Sequence, residues 1–256
     1  MERETSDKLI MELRGQVNDL LAAAQLLTPL VREKGGASEG EYLASLNQGL
    51  YRLIRTVNHM ELCREAEPVF HPRVIDLCGL CREIGRQVEL MAGEMNISFR
   101  WEIDRESVLS LADDALLEQA ILNLISNAIQ AAGPGGKVSL RCKTDKERCT
   151  ILVKDSGAGL NLEKGEDPFV KLPGGIGLGL TAARRAAQLH GGALMLEDGE
   201  EGGVLAVLSL PIRKPDHSEG LRMPKMGYDR TGGFSPLLVE LSPQLPYRCY
   251  MAEDVE

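Results

Sequence analysis

The spacing of the apolar residues changes once along the chain, at Glu67-Pro68, and that change limits what the chain can fold into. Before it, Ile10, Leu13, Val17, Leu20, Ala24 and Leu27 recur at alternating intervals of three and four. Leu43, Leu46, Leu50, Leu53, Val57 and Met60 repeat the pattern. Such spacing lays one narrow apolar stripe on each of two helices. Glu33-Lys34-Gly35-Gly36-Ala37-Ser38 separates them, with Ser38 placed as an N-cap and Glu41 as its capping-box partner. Residues 1–66 therefore read as an antiparallel helical hairpin. Two helices with one stripe each do not enclose a core, so two hairpins are expected to pair as a four-helix bundle in a homodimer. Packing of the hairpin on the rest of its own chain is the alternative.

Beyond Pro68 the pattern becomes mixed. Short β-like runs fall around 70–74, 97–103, 107–111, 137–142, 149–154, 193–197 and 203–210, and helical patterns fill 76–92, 114–132 and 177–190. The strands come as neighbours rather than in strict alternation with helices, which predicts a two-layer α/β sandwich over 67–214 with a mixed sheet covered on one face. The whole is an α+β chain. Residues 215–256, rich in Pro, Gly and Ser with scattered aromatics, read as a tail or a docking peptide.

Composition narrows the function classes. A net charge of −9 with no basic block argues against nucleic acid or anionic lipid as the main partner. No run approaches the roughly 18–20 apolar residues of a membrane span, and the start, MERETSDK, is charged rather than signal-like, so a cytoplasmic location is expected. Cys78 and Cys81 have CxxC spacing, but they share a helical stripe with Leu77, Ile84, Val88 and Met91 and read as small core residues.

Three motifs in 67–214 carry chemistry. Asn123 and Asn127 stand four residues apart on one helical face, and an amide oxygen there could complete the oxygen shell of a Mg²⁺ ion beside a polyphosphate. Taken alone, the pair also fits a local hydrogen-bonded couple. Asp155-Ser156-Gly157-Ala158-Gly159 follows an apolar strand, so a carboxylate acceptor for an exocyclic amine is set beside a backbone free to turn; a plain turn is the other reading. Gly174-Gly175-Ile176-Gly177-Leu178-Gly179-Leu180 runs into a helix whose N-terminal amides suit an anion. No Lys-Ser/Thr follows, so this is not a Walker A loop.

In this order and at these separations the motifs resemble the N, G1 and G2 boxes of the ATP-binding domain of sensor histidine kinases, in the superfamily that includes gyrase and MutL. LLEQAILNLISNAIQAAG resembles the N box, VKDSGAGL the G1 box, Asp167-Pro168-Phe169 the F box, and LPGGIGLGLTAARRAAQLHGG the G2 box. The resemblance implies ATP and Mg²⁺ as cofactors, Asn127 as the Mg²⁺ ligand and Asp155 as the adenine reader. It assigns Asn123 to the phosphates, and Gly157, Gly159, Phe169, Gly175, Gly177, Leu178 and Gly179 to the lid and phosphate cradle. Gln130 stands where many members carry a phosphate-holding Lys. The superfamily's ATPases place a general-base Glu where this chain has Asn123, and an amide does not take a proton at neutral pH, so gyrase-type hydrolysis is disfavoured.

The hairpin resembles the family's dimerisation and phosphotransfer domain, but the phosphoacceptor His is replaced by Met11 and the following Pro by Gln16. Glu12, which in the family helps deprotonate that His, is retained. His59 falls near the level of Met11 across the hairpin and is weighed as a displaced acceptor against an ordinary surface or capping His. His71 and His217 sit in connecting segments without evident partners, and His190 reads as structural at a helix C-terminus that favours a cation. The expected activity is Mg·ATP-dependent phosphoryl transfer in two-component signalling, with a response regulator as partner. The alternative is a pseudokinase, an ATP-sensing dimeric scaffold.

Overall fold

The computed structural model describes residues 2–64, 70–160, 178–199, 202–214 and 234–251. The hairpin is α1 (Glu2–Lys34) and α2 (Ala37–Cys63). Ile10, Val17, Leu21 and Ala24 of α1 and Leu50, Ile54 and Val57 of α2 are buried, and Arg14 pairs with Glu61 between the helices. A third of the expected stripe is not covered within the chain: Leu20, Leu27, Leu46 and Leu53 remain exposed. The cap differs from the expected one. Gly36 is the N-cap of α2 and the Glu39 carboxylate accepts from its N–H at 2.9 Å, while Ser38 lies inside the first turn. A glycine serves here because the capping contribution comes from the Glu, not from the cap's own side chain.

The second region contains β1 (Arg73–Asp76), α3 (Leu77–Met91), β2 (Ser98–Ile103), β3 (Leu109–Ala112), α4 (Asp114–Ala132), β4 (Lys137–Thr144), β5 (Arg148–Asp155), α5 (Leu178–Leu189), β6 (Ala193–Asp198) and β7 (Val204–Pro211). β1 and β3 form a small antiparallel pair, with the first strand starting later than the run 70–74 suggested. The main sheet has the order β2-β4-β5-β7-β6, mixed as expected: β2 runs parallel to β4 and every other pair is antiparallel. Its two-residue period separates the faces. Val138, Leu140 and Cys142 of β4, Cys149, Ile151 and Val153 of β5, and Ala206, Leu208 and Leu210 of β7 point into the core. Cys78 and Cys81 pack in the same core as free thiols, and burial contributes to raising both above the ordinary thiol range after the larger effect of hydrogen bonding to Cys142.

α4 is apolar around nearly its whole circumference, from Leu116 and Leu117 through Ile121, Leu122, Leu124 and Ile125 to Ala128 and Ile129. A helix of that kind is enclosed. The sheet lies on one side, and α5, α3 and the C-terminal segment pack against it elsewhere. That segment comprises α6 (Pro236–Glu240) and a 3-10 turn (Tyr247–Tyr250). Within it Leu237, Leu238, Val239, Leu241 and Leu245 are buried, and Tyr51 stacks edge-on between Phe234 and Tyr250 at 5.3 and 5.0 Å. One contiguous core thus joins hairpin, sheet layer and C-terminal segment.

Asp113 organises the entrance of α4. Its Oδ1 accepts from Leu116 N at 3.2 Å, its Oδ2 from His71 N at 2.9 Å, and its own N–H donates to His190 Nε2 at 2.9 Å. His71 therefore has a partner through its backbone. His190 donates from Nδ1 to the Ala186 carbonyl at 2.7 Å, so both ring nitrogens are used by a neutral imidazole, and burial lowers its pKa. His190 is thus a structural residue, but as a buried neutral ring rather than the cation that a helix end favours.

Two stability predictions follow from this layer. In His190→Leu the Asp113 N–H loses its acceptor in a buried place, at a cost of about 1–3 kcal/mol in urea melts at pH 7.5. The wild type should also lose stability as pH falls below 6.5, where the unfolded imidazole protonates and the folded one resists; this leg should flatten in the variant. Glu118 behaves oppositely. Burial, with Asp114 and Glu83 nearby, raises its carboxyl to about 7 from an ordinary 4.5. Between those values the unfolded chain gives up a proton that the folded chain keeps, so stability falls as pH rises through the window and the penalty is complete above it. Glu118→Gln should stabilise by about 1–2 kcal/mol at pH 8 and by little at pH 4.5, measured by denaturant midpoint.

Candidate nucleotide site

α4 brings the three motifs together because each meets it at a different height. Near its middle, Asn127 Nδ2 donates to Asn123 Oδ1 at 2.9 Å, one turn away. There Gly179 of α5 is pressed against Asn123: a Cβ on Gly179 would stand 2.6 Å from Asn123 Nδ2. At the C-terminal end of α4, Gly157 approaches the Ala131 carbonyl so closely that a Cβ would stand 2.5 Å from its oxygen. Only glycine fits either place. From Asn123 to Ala131 the helix rises about 12 Å, so amides lie toward one end and the β5 carboxylate toward the other.

Asp155 reaches its place by the strand period. It continues the inward series Cys149, Ile151 and Val153, which leaves the residue 5 % exposed at the end of β5. Its Oδ1 accepts from Gly157 N at 2.7 Å and Val204 N at 3.2 Å. Burial raises its pKa, with those two N–H groups pulling the other way. Among the described residues Oδ2 accepts no hydrogen bond, so an acceptor is left at the strand end. Gly159, at φ 85, makes the turn away from it.

Asn123 is 1 % exposed. Its Nδ2 lies 3.0 Å from His59 Nε2 and 3.4 Å from Glu240 Oε2. Glu240 in turn lies 3.0 and 3.1 Å from His59 Nε2 through its two oxygens and 3.1 Å from Arg55 Nε. Burial pushes the Glu240 carboxyl up, but His59 and Arg55 together outweigh it and hold it below the usual carboxylate range. His59 is thus not a surface or capping residue: it is 2 % exposed beside the Asn123 amide. Neither Glu240 nor Arg55 was singled out from sequence. The available signal was one acidic residue inside the apolar run Leu237-Leu238-Val239-Glu240-Leu241.

The other sequence candidates divide. Leu178 and Gly179 open α5 against α4. Gln130 is exposed on α4 and forms no hydrogen bond to the amides among the described residues. Met11 and Glu12 are exposed on α1 and likewise have no hydrogen bond to the α4 amides among the described residues. Phe169, Gly175 and Gly177, with the F box and His217, lie outside the described residues. No group of three or more His, Cys, Asp or Glu able to hold a metal occurs among the described residues. Asn127 commits its Nδ2 to Asn123, which leaves its Oδ1 as an oxygen donor of the type that Mg²⁺ takes beside water and other oxygens. No helix among the described residues is long and apolar enough to cross a membrane.

Residues 112–214 match the family described as histidine kinase-, DNA gyrase B- and HSP90-like ATPase. The adaptive-response sensory kinase SasA of Parasynechococcus marenigrum (strain WH8102) is 26 % identical over 232 residues, which cover 82 % of this chain and 60 % of that protein. The chain thus spans about three fifths of that relative's length. Among solved structures, full-length ShkA in complex with AMPPNP superposes with a TM-score of 0.65 at 26 % identity, covering 83 % of this chain and 46 % of that one. Histidine kinase ThkA in complex with the response regulator protein TrrA superposes with a TM-score of 0.56 at 24 % identity, covering 80 % of this chain and 61 % of that chain, and shows the shared fold. Around the amide pair, the strand-end carboxylate and the glycine contacts, residues 112–214 therefore form a domain of the histidine kinase-, DNA gyrase B- and HSP90-like ATPase type, and the curated proteins similar to the chain include sensory kinases.

Proposed function

We propose that the chain binds Mg·ATP between α4, the end of β5 and the start of α5, and that it serves phosphoryl transfer in two-component signalling as a homodimer with a response regulator as partner. The observation that carries the reading is the convergence on α4: Asn123 against Gly179 at one height and Ala131 against Gly157 at the other. Asp155 Oδ2 would accept from the exocyclic amine of adenine. Asn127 Oδ1 would hold the Mg²⁺ ion, which when bound neutralises charge on the polyphosphate. The first N–H groups of α5 have no intrahelical acceptors and would face phosphate oxygens. Asn123 holds Asn127 and takes up no proton, so transfer to a nucleophile on another group fits the site better than hydrolysis. The AMPPNP complex of ShkA and the regulator complex of ThkA support the nucleotide and the partner, respectively. The exposed Leu20, Leu27, Leu46 and Leu53 are suited to a second hairpin, which would complete four helices.

A second reading is favoured by one pair of facts. Met11, a thioether that takes no phosphoryl group, stands where the resemblance puts the acceptor His, and His59 is sealed beneath Glu240. A scaffold that senses ATP without transferring phosphate would have these features.

Calorimetric titration with ATP and Mg²⁺ tests the common part. Asn127→Ala is expected to weaken binding about tenfold or more only when Mg²⁺ is present, and Asp155→Ala to weaken it with or without the metal. Wild-type affinity in both variants would overturn the nucleotide site. Labelled ATP then separates the two readings: label arriving on a receiver domain supports the kinase, and tight nucleotide binding with no label on the chain or the receiver supports the scaffold.

A further inference from the structure

A relay of side chains links the C-terminal segment to the amide assigned to the metal. Glu240 closes α6 at 1 % exposure, ringed by Arg55, His59 and Asn123. An ionised carboxylate only accepts hydrogen bonds. The end of the Asn123 amide facing it is therefore Nδ2, the donor. His59 does not alter that conclusion: if its Nε2 carries a proton it donates to Glu240, and if not it accepts from Asn123, which again turns Nδ2 toward the cluster. Asn123 Oδ1 consequently faces the other way, toward Asn127, whose Nδ2 it accepts at 2.9 Å. Asn127 has then committed its donor end inward, and its Oδ1, the end able to bind a cation, is turned out. The amide orientations follow from the acceptor-only chemistry of one carboxylate.

We propose that Glu240 is a positioning residue for the metal-binding amide: acting through Asn123, it determines that Asn127 presents oxygen rather than nitrogen to the divalent cation of a bound nucleotide. The inference rests on the Mg·ATP reading and adds a control on that site, because Glu240 is delivered by the docked segment 234–251. The segment is held along one face of α2. Asn47 Nδ2 donates to the Tyr250 carbonyl at 3.1 Å, Gln48 Nε2 to the Leu245 carbonyl at 2.6 Å, and Arg52 Nε to the Ser242 carbonyl at 3.1 Å. A further tie runs to α4 itself, from Ser126 Oγ to Gln244 Oε1 at 2.8 Å. Docked, the segment supplies the acceptor that orders both amides; undocked, either amide can turn over and offer an N–H₂ group to the cation.

The test is the ratio of affinities for a non-hydrolysable ATP analogue with Mg²⁺ and with EDTA, measured by calorimetry on the full chain. Glu240→Leu removes the acceptor, and the Mg²⁺ enhancement should fall about tenfold or more while the EDTA affinity changes by less than about twofold. Glu240→Gln keeps the size but offers both donor and acceptor, so it should lose about threefold or more of the enhancement; it decides the matter if the Leu variant does not fold. Gln244→Ala, which removes the tie to Ser126 while the α2 contacts keep the segment docked and the carboxylate in place, should lower the melting temperature and keep the wild-type ratio. A wild-type ratio in a folded Glu240 variant overturns the relay alone. A wild type whose binding is indifferent to Mg²⁺, with Asn127→Ala unchanged, overturns the nucleotide reading together with it.

Discussion

The enclosure of α4 is the constraint on which the rest of the structure depends. A helix surrounded by protein buries its polar side chains along with its apolar ones, and a buried amide or hydroxyl without a partner costs free energy of the order of a lost hydrogen bond. Asn123 and Ser126, both essentially inaccessible, therefore require donors or acceptors from whatever covers them. They find these in α2 and the C-terminal segment, which is why those elements are tied to α4 by polar contacts as well as by apolar packing. Glu240 meets the same requirement in stricter form, since a lone buried carboxylate would be far more costly than an amide. Arg55 and His59 on α2 resolve it, spaced one turn apart so that both reach a single carboxylate.

A chain of net charge −9 is an unpromising binder of polyphosphate by simple Coulomb attraction. The proposed site around α4 would rely instead on backbone N–H groups at a helix start, an amide oxygen and the close backbone approach at glycines. These are local dipoles whose effect depends on distance and exclusion of water rather than on net charge.

Local features were legible in the sequence. α4 spans 114–132 because Asp113 caps it and Gly133 ends it, both signals contained within the segment. The strands carry period-two patterns, and the amide pair, the strand-end Asp and the glycine run stood out by residue type and spacing. What was not legible depends on partners far away in the chain. The N-cap of α2 moved to Gly36 because Glu39, not Glu41, reaches back. His59 and His190 were read by their local context, while their real surroundings come from residues 181 and 77 positions away, respectively. The apolar run around Glu240 is too short for a period to reveal what it packs against, and the aromatic residues that anchor it make sense only beside Tyr51.

The docked segment also sets an order of events during folding. Its contacts with α2 close loops of 181 to 203 residues, whereas the hairpin and the neighbouring strands pair locally. Closure over such distances is entropically costly and slow, and it requires the intervening sheet and helices to be in place as a platform. Glu240 also leaves the ribosome well after Asn123 and Asn127. During synthesis the amides therefore emerge before the carboxylate that faces them, and the cluster is complete only once the chain has returned to its own second helix.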